Sequence, residues 1–285
     1  MKYIFLRFPE GKAKAVTFSY DDGTKSDIRL ADTLSRYGLK GTFNLCSYNL
    51  HSEKKMSLEE IKTHILDAGH EIAIHGDVHK ALAYCSPLEG IQEVLNCRLE
   101  LEKTFDRIIR GMAYADAPSH NVSCGKTEYA KIKQYLADLG VVYSRTHGGD
   151  NDSFALPQDW HAWMPTVKHT NPMALKYAEQ FLELDCDKQY CARRYPRLYY
   201  VWGHSVEFNR DNNWEFLDVL CEKLSGHEEV WYATNMEIYD YVQAYKALVF
   251  SADSKRVYNP TIMKIWFDID KQIFCIEPGE TLVLK

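Results

Sequence analysis

The sequence of 285 residues lacks several features that would place it in a familiar class of protein. It contains no run of about 18 apolar residues, so no membrane span is predicted. The short apolar run at the start of the chain is interrupted by Arg7 and Pro9 and does not resemble a secretory signal. The eight cysteines form no CxxC pair. These absences predict reduced thiols and a cytoplasmic location, or an extracellular one if the natural chain begins earlier.

An excess of positive charge is also missing. The net charge of −6 provides no cationic face for phosphate backbones, which makes nucleic acid an unsuitable partner. Aromatic residues are plentiful, with 19 Tyr and 6 Trp, and their flat amphipathic rings suit carbohydrate-like ligands as well as core packing. The length permits one large barrel or two ordinary domains. The oligomeric state does not follow from the sequence.

Short β-rich runs alternate with helical patterns through most of the chain. The runs predicted as strands are residues 15–20, 41–45, 70–74, 111–115, 141–145, 198–203 and 229–234. Helices are predicted over about 25–37, 57–68, 88–109, 126–139, 173–184, 213–224 and up to about 246. Strands that alternate with helices indicate an α/β fold with a parallel sheet, either a closed barrel or a doubly wound sheet.

The last part of the chain has a different pattern. Residues 247–285 contain short strand-like runs separated by NP, DK and PGE turns, which predicts a small antiparallel β appendix. The main α/β domain is therefore expected to cover residues 1–246. Ligands of such domains bind at the carboxyl ends of the parallel strands, in the barrel and in the doubly wound sheet alike.

Two motifs follow predicted strands directly, at the edge where a ligand is expected. In TFSYDDG, the strand ends on the adjacent carboxylates Asp21 and Asp22, which repel each other unless a cation lies nearby. In HGDVH, His75 and His79 are four residues apart, a spacing that places two imidazoles on one face of a helical turn. Two histidines and a carboxylate are a ligand set of catalytic Zn²⁺ and of non-haem Fe(II).

A third motif, VWGHS, places His204 directly after the run 198–203, at the same edge. A single histidine is more often a buried structural residue than a catalytic one, but this position favours a function. The other histidines have no comparable context and are interpreted as structural or solvated; they are residues 51, 64, 70, 120, 147, 161, 169 and 227.

With TFSYDDG, HGDVH and VWGHS in this order, residues 10–245 resemble the polysaccharide deacetylases, carbohydrate esterase family 4 with its NodB homology domain. The resemblance implies a distorted (β/α) barrel of about seven strands. It also implies that Asp21 is the general base and His204 the general acid. Asp22, His75 and His79 would then bind one divalent metal ion, with Zn²⁺ expected and Co²⁺, Ni²⁺ or Fe²⁺ as alternatives.

The sequence departs from the family in its third motif, which normally supplies an arginine that holds the catalytic aspartate. Here the stretch reads Ala113-Tyr-Ala-Asp116. We expect Arg145, at the end of the run 141–145, either to replace that arginine or to be an ordinary surface residue. A backbone N–H between Tyr114 and Asp116 is expected to bind the oxyanion. The fourth motif is expected at Asp159-Trp160 or at Trp163, and we predict that Tyr114 and Trp163 contact the substrate.

The predicted function is metal-dependent hydrolysis of N-acetyl or O-acetyl groups of a carbohydrate. One alternative is hydrolysis of a non-carbohydrate amide or cyclic ureide on the same barrel. The other is a degenerate, non-catalytic glycan-binding protein, although a binding protein needs neither the base Asp21 nor the acid His204.

Overall fold

The computed structural model describes residues 3–117, 119–147, 151–190 and 193–284. In these ranges the strands are β1 (Ile4–Arg7), β2 (Lys14–Asp21), β3 (Gly41–Leu45), β4 (Glu71–Ile74), β5 (Gly111–Ala113), β6 (Tyr143–Arg145), β7 (Val167–Lys168), β8 (Arg197–Gly203), β9 (Val230–Tyr232), β10 (Val249–Phe250), β11 (Arg256–Tyr258), β12 (Ile265–Ile269), β13 (Gln272–Ile276) and β14 (Thr281–Val283).

The helices are α1 (Ser26–Arg36), α2 (Leu58–Glu60), α3 (Pro87–Phe105), α4 (Tyr129–Asp138), α5 (Ala174–Glu183), α6 (Val206–Arg210), α7 (Trp214–Leu224) and α8 (Asn235–Lys246), and α2 continues as a π-helix over Ile61–Leu66. All seven predicted helices are therefore present, with ends shifted by a few residues. None of the helices in the described ranges is both long enough and apolar enough to cross a membrane.

The central sheet is parallel throughout and has the order β6-β5-β4-β3-β2-β8-β7, with β9 pairing the first half of β2. The sheet curls back on itself, because the segment from Trp163 to Lys168 contains one edge strand, β7, and also contacts the other edge strand, β6. Trp163 forms a bridge with Arg145 of β6, and Val167–Lys168 pair with β8. The predicted α/β barrel of about seven parallel strands is thus confirmed, and every predicted strand of the domain lies in this sheet.

The strand β2 explains how the barrel packs. All eight of its residues are buried, as expected of a parallel strand that is covered on both faces. Val16, Phe18 and Tyr20 belong to the apolar cluster that includes the surrounding helices. From Thr17 onwards the alternate residues are polar and hydrogen-bonded: Ser19 accepts from Asn44 at 2.9 Å, and Thr17 donates to Asn235 at 3.1 Å.

Local signals in the sequence set the ends of several helices. Ser57 and Glu60 form the predicted capping box, in which each side chain accepts a hydrogen bond from the backbone N–H of the other residue. Gly38 follows α1 with a φ of +68°, a left-handed conformation that favours glycine at a helix C-terminus.

Two small antiparallel sheets complete the described structure, with the orders β10-β11-β14 and β1-β12-β13. The predicted C-terminal β appendix is thus present, and it includes a strand that the sequence did not reveal. This strand, β1, pairs residue by residue with β12 from Ile4 opposite Ile269 to Arg7 opposite Trp266. The domain boundary between residues 246 and 247 stays a prediction.

Candidate active site

The carboxyl ends of the parallel strands bring the predicted site residues together. Asp21 is the last residue of β2, and Asp22 has a φ of +83°, so the chain turns sharply between the strand and Gly23. The Asp22 N–H still donates to the carbonyl of Asn44 in β3 at 3.0 Å. The turn separates the environments of the two carboxylates: the Asp21 side chain is buried, whereas that of Asp22 is 28% exposed.

Asp22, His75 and His79 converge as predicted. One potential ligand atom from each residue lies within 4.8 Å of those of the other two. Oδ1 of Asp22 is 4.0 Å from Nε2 of His75 and 3.8 Å from Nε2 of His79. Two imidazole nitrogens and one carboxylate oxygen are a donor set that suits a divalent catalytic ion with an open coordination position. The residues present therefore fit a metal ion.

The prediction that a helical turn brings His75 and His79 together was wrong, because residues 75–79 are not helical. They form a loop in which Gly76 and His79 have φ values of 92° and 62°. The buried side chain of Glu93 shapes this loop from α3, since its Oε1 accepts the N–H groups of Val78 and Lys80, each at 2.9 Å. The loop folds back far enough to bring the centres of the two imidazole rings to 4.8 Å.

The other ring nitrogens of the two histidines face acceptors near the end of β5. Nδ1 of His75 lies 3.1 Å from the carbonyl oxygen of Ala113, and Nδ1 of His79 lies 3.4 Å from Oδ1 of Asp116. An N–H at Nδ1 in each ring leaves Nε2 with a free lone pair. Both histidines therefore direct the nitrogen that can bind a metal towards Asp22.

Of the two alternatives left open for Arg145, a tether of Asp21 or an ordinary surface residue, the structure shows the first, since Arg145 is buried and contacts Asp21. Nη2 of Arg145 donates to both oxygens of Asp21 at 2.6 Å, and Asn44 adds a bond of 2.8 Å to Oδ1. Burial opposes ionisation of Asp21, but the nearby Arg145, His75 and His204 outweigh it, so the pKa of this carboxyl lies below its ordinary value.

His204 completes the group from the end of β8. Its Nε2 lies 3.8 Å from Oδ2 of Asp21, and its Nδ1 lies 3.8 Å from Oε2 of Glu207 in α6. Burial acts to lower the pKa of His204, but Glu207 and Asp21 more than compensate, and the net effect is a raised pKa. The ring therefore retains its proton to a higher pH than an ordinary histidine.

Glu207 is itself held in place at the rim. Its Oε1 accepts from Lys168 at 2.7 Å, and its Oε2 lies 3.4 Å from Nε2 of the buried His169. Although burial opposes ionisation of Glu207, His204 and Lys168 lower its pKa to about 2. The carboxylate of Glu207 is therefore anionic at neutral pH and faces Nδ1 of His204.

The two predicted substrate contacts are not available as aromatic platforms, because both side chains are only 1% exposed. Tyr114 donates its hydroxyl to the carbonyl of His161, and its N–H donates to the carbonyl of Arg145. Trp163 packs edge-on against Tyr143 and Tyr200. Its burial places it in the core instead of on a substrate surface.

The burial of Tyr114 also narrows the predicted oxyanion site. Because the Tyr114 N–H is used within the sheet, only the N–H groups of Ala115 and Asp116 remain from that prediction.

The other candidate for the fourth motif, Asp159-Trp160, also has a structural role. Asp159 accepts hydrogen bonds from Tyr129 at 2.9 Å and from Lys133 at 2.7 Å, and its side chain caps a short helical turn by accepting from the N–H of His161.

His147 lies near the site, although the sequence was interpreted as giving it only a structural or solvated role. His147 follows β6 by two residues, and its ring stacks on Trp202 with the ring centres 5.6 Å apart. The guanidinium of Arg145 lies 4.6 Å from the centre of the same indole ring. Burial, helped by Arg145, lowers the pKa of His147 to about 4, so its ring is neutral at physiological pH. Its position after a strand was the same signal that identified His204.

A large cleft of about 850 Å³ lies at the opposite end of the barrel, where Arg7, Lys14 and Glu183 are among its lining residues. Lys14 begins the strand that Asp21 ends, so this cleft is remote from the converging histidines. The chemistry of the side chains, and not cavity size, places the candidate active site at the carboxyl ends of the strands.

A sequence model of the polysaccharide deacetylase family matches residues 9–135, a range that contains Asp21, Asp22, His75 and His79 but neither Arg145 nor His204. No curated protein sequence matches the chain significantly. Among solved structures, a polysaccharide deacetylase candidate from Mycobacterium smegmatis is 18% identical, with 85% of this chain and 94% of that chain covered and a TM-score of 0.56.

A family 4 pseudoenzyme from Bacillus anthracis is 16% identical, with 83% of this chain and 68% of that chain covered and a TM-score of 0.50. A Streptococcus pyogenes deacetylase is 19% identical, with a TM-score of 0.40; the match covers 46% of this chain and spans 55% of the length of that protein. The resemblance to the polysaccharide deacetylases is thus confirmed, by the family's sequence model over residues 9–135 and by the barrel fold over most of the chain.

Proposed function

We propose that the protein is a metal-dependent hydrolase that removes acetyl groups from a carbohydrate, with N-acetyl groups of an amino sugar or its polymer as the main target and O-acetyl groups as a further one. One observation carries the proposal: Asp22, His75 and His79 converge next to a second carboxylate, Asp21, which lies between Arg145 and His204. This single rim thus combines a metal-ligand set with a base and an acid.

Asp22, His75 and His79 would hold the ion. Zn²⁺ is the expected metal, and Co²⁺, Ni²⁺ and Fe²⁺ are alternatives with the same preference for nitrogen and oxygen ligands. When bound, such an ion supplies a Lewis acid for the acetyl carbonyl and makes a nearby water molecule easier to deprotonate.

Asp21 acts as the general base. Its lowered pKa keeps it anionic at neutral pH, so it can accept a proton from water while the water oxygen forms a bond to the acetyl carbon. The bidentate contact with Arg145 and the bond from Asn44 fix the orientation of the carboxylate. The N–H groups of Ala115 and Asp116, at the end of β5, are the remaining backbone candidates to stabilise the oxyanion.

His204 acts as the general acid. It gives its Nε2 proton to the amine nitrogen as the carbon–nitrogen bond breaks, and the products are acetate and a free amine. An amine is a poor leaving group without this proton, so a raised pKa of His204 suits amide hydrolysis. Glu207 stabilises the charged ring from its Nδ1 side.

Hydrolysis of a small non-carbohydrate amide or cyclic ureide is the second candidate function. The burial of Tyr114 and Trp163 favours it, because neither ring provides the flat surface on which a sugar commonly stacks. The acid, base and metal ligands are the same in both cases, so only the substrate distinguishes them.

Acetate release from chitin oligomers, acetylated xylan and peptidoglycan fragments, measured with and without added Zn²⁺, tests the proposal. We expect zinc-dependent release from at least one of these substrates and none from the Asp22→Ala variant. Turnover of a cyclic ureide but of none of the glycans would favour the second candidate. Glycan binding without turnover of any substrate would contradict both and indicate a non-catalytic protein.

A further inference from the structure

Asp116 is a part of the site to which neither the sequence motifs nor the proposed reaction gives a side-chain role. It follows β5 within the stretch Ala113-Tyr-Ala-Asp116, and its backbone has a φ of 55°. Its side chain is 61% exposed, and Oδ1 lies 3.4 Å from Nδ1 of His79. This nitrogen is the one that His79 does not direct towards Asp22.

We propose that Asp116 is a positioning residue for the metal site: it accepts a hydrogen bond from Nδ1–H of His79 and thereby holds Nε2 deprotonated and directed at the ion. The inference rests on the proposed function, because it assumes that His79 is a metal ligand. Histidine ligands of metals almost always donate their other N–H to a carboxylate, carbonyl or water, which fixes the ring and increases its basicity.

The two histidines differ in how much they need such a partner. The His75 side chain is 2% exposed, and the carbonyl of Ala113 fixes its Nδ1 inside the barrel. The His79 side chain is 30% exposed and comes from a residue with a φ of 62°, at the outer end of the loop. Without Asp116, water would compete for Nδ1, and the ring would be free to change its tautomer and its orientation.

The geometry also distinguishes this role from that of a fourth ligand. Oδ1 of Asp116 contacts Nδ1, whereas Oδ1 of Asp22 approaches Nε2 of the same ring at 3.8 Å. A carboxylate beside Nδ1 acts through the ring, not through direct coordination. The end of β5 therefore anchors both metal histidines, one through a carbonyl oxygen and the other through a carboxylate.

The test is the affinity of the purified full-length protein for Zn²⁺, measured by competition with a chromophoric chelator at constant pH. We expect Asp116→Ala to weaken binding by about 10- to 100-fold, the usual effect of losing an outer hydrogen-bond partner of a metal ligand. Asp116→Asn should lose less, because its amide oxygen can still accept from Nδ1–H. The matched control is Asp138→Ala, which removes an exposed carboxylate from the end of α4 and should leave the affinity unchanged.

A second readout does not depend on metal. Nitrogen NMR of the metal-free protein should show His79 with its proton on Nδ1, and Asp116→Ala should shift the ring towards the Nε2–H tautomer. Equal losses of affinity in Asp116→Ala and Asp116→Asn would show that only the charge matters and would overturn the positioning role. If the wild-type protein binds zinc and the Asp116→Ala variant binds it equally tightly, only this inference would be overturned. A wild-type protein that binds none of Zn²⁺, Co²⁺, Ni²⁺ and Fe²⁺ would overturn the proposed function as well.

Discussion

Arg145 donates from Nη2 to both carboxylate oxygens of Asp21 at 2.6 Å, across the barrel and over 124 residues of sequence. The resemblance to the deacetylases implied an arginine from the third motif, whereas here the arginine that contacts Asp21 comes from the end of β6. The side chains of both residues are almost fully buried, and the guanidinium also lies over the ring of Trp202. The contact therefore depends on where the strand ends converge, not on a local motif.

Arg145→Ala should lower both activity and stability. Without the guanidinium, burial acts on Asp21 with less opposition, so its pKa should rise and less of the base should be ionised at neutral pH. Breaking a buried ion pair by removing one partner typically costs about 3–5 kcal/mol of unfolding free energy. We expect kcat for an acetylated substrate to fall by about 10²-fold or more, the usual contribution of a positioned base.

Urea denaturation and kcat, measured at a temperature at which the variant is folded, test this prediction. Arg36→Ala is the matched control, since Arg36 forms a partly exposed pair with Asp218 on the surface. If a folded Arg145→Ala variant kept the turnover of the wild-type protein, Arg145 would have no role in the reaction.

Much of the fold could be predicted from the sequence because periodicity and capping are local. The buried run of β2 and the capping box at Ser57 lead directly to the strand and helix observed. The strand β7 could not be found in this way, since it has only two residues, Val167 and Lys168, and is defined by its pairing with β8. The pairing of β1 with β12 depends on contacts between opposite ends of the chain and has no local signal.

The predictions for the candidate site divide in the same way, into those with a local signal in the sequence and those that depend on packing. Position after a strand predicted that Asp21, Asp22, His75 and His204 would meet, and the side chains do meet at one rim. The same rule also places His147 at this rim, since it follows β6 by two residues. The burial of Tyr114, after β5, and of Trp163, after a short helical turn, could not be predicted, because surrounding packing decides whether such a ring points into the core or into the groove.

His204→Ala should separate the role of an acid from that of a structural residue. We expect kcat for an N-acetyl substrate to fall by about 10²- to 10⁴-fold, because the amine then leaves without a positioned proton donor. An activated acetyl ester, whose leaving group needs no proton, should lose much less. Zinc affinity should hardly change, since His204 lies outside the proposed ligand set.

Parallel assays of an amide and an activated ester test this prediction, with His64→Ala as the control. His64 is partly exposed and bonds to Asp32 at 2.7 Å on the surface, so its loss should leave both rates unchanged. Equal losses on the amide and the ester would argue for an oxyanion or packing role of His204 instead of proton donation.

Glu207→Gln should alter the pH dependence of the reaction. Glu207 is the leading cause of the raised pKa of His204, against the opposing effect of burial. With the carboxylate replaced by a neutral amide, the pKa of His204 should fall, and the ring should lose its proton at a lower pH. The decline of kcat on the basic side of the pH profile should therefore move to lower pH.

The measurement is kcat for an N-acetyl substrate over a pH series, compared with Glu222→Gln on the exposed face of α7. The control should keep the wild-type profile. An unchanged basic limb in a folded, active Glu207→Gln variant would mean that Glu207 does not govern the protonation of His204.

Asp27→Asn should stabilise the protein, and the gain should depend on pH. The Asp27 side chain is completely buried in the first turn of α1. Burial is the main cause of a pKa raised from 3.8 to about 7, and it outweighs the opposing effects of Ser205 and Thr24. A raised carboxyl pKa means that the folded protein holds a proton that the unfolded chain releases between these two values. Stability is therefore lost as the pH rises through this window.

The neutral amide introduced by Asp27→Asn removes this dependence, so the advantage of the variant over the wild-type protein should be small near pH 4 and largest above pH 7. The difference between a pKa of 3.8 and one of about 7 sets an upper limit of about 4 kcal/mol on the change of this advantage. Urea denaturation at pH 5 and pH 8 tests the prediction, with Asp67→Asn as an exposed control that should show no such gain. The same gain at both pH values would mean that Asp27 does not titrate in this window, because only a titrating carboxyl makes the difference between the variant and the wild-type protein depend on pH.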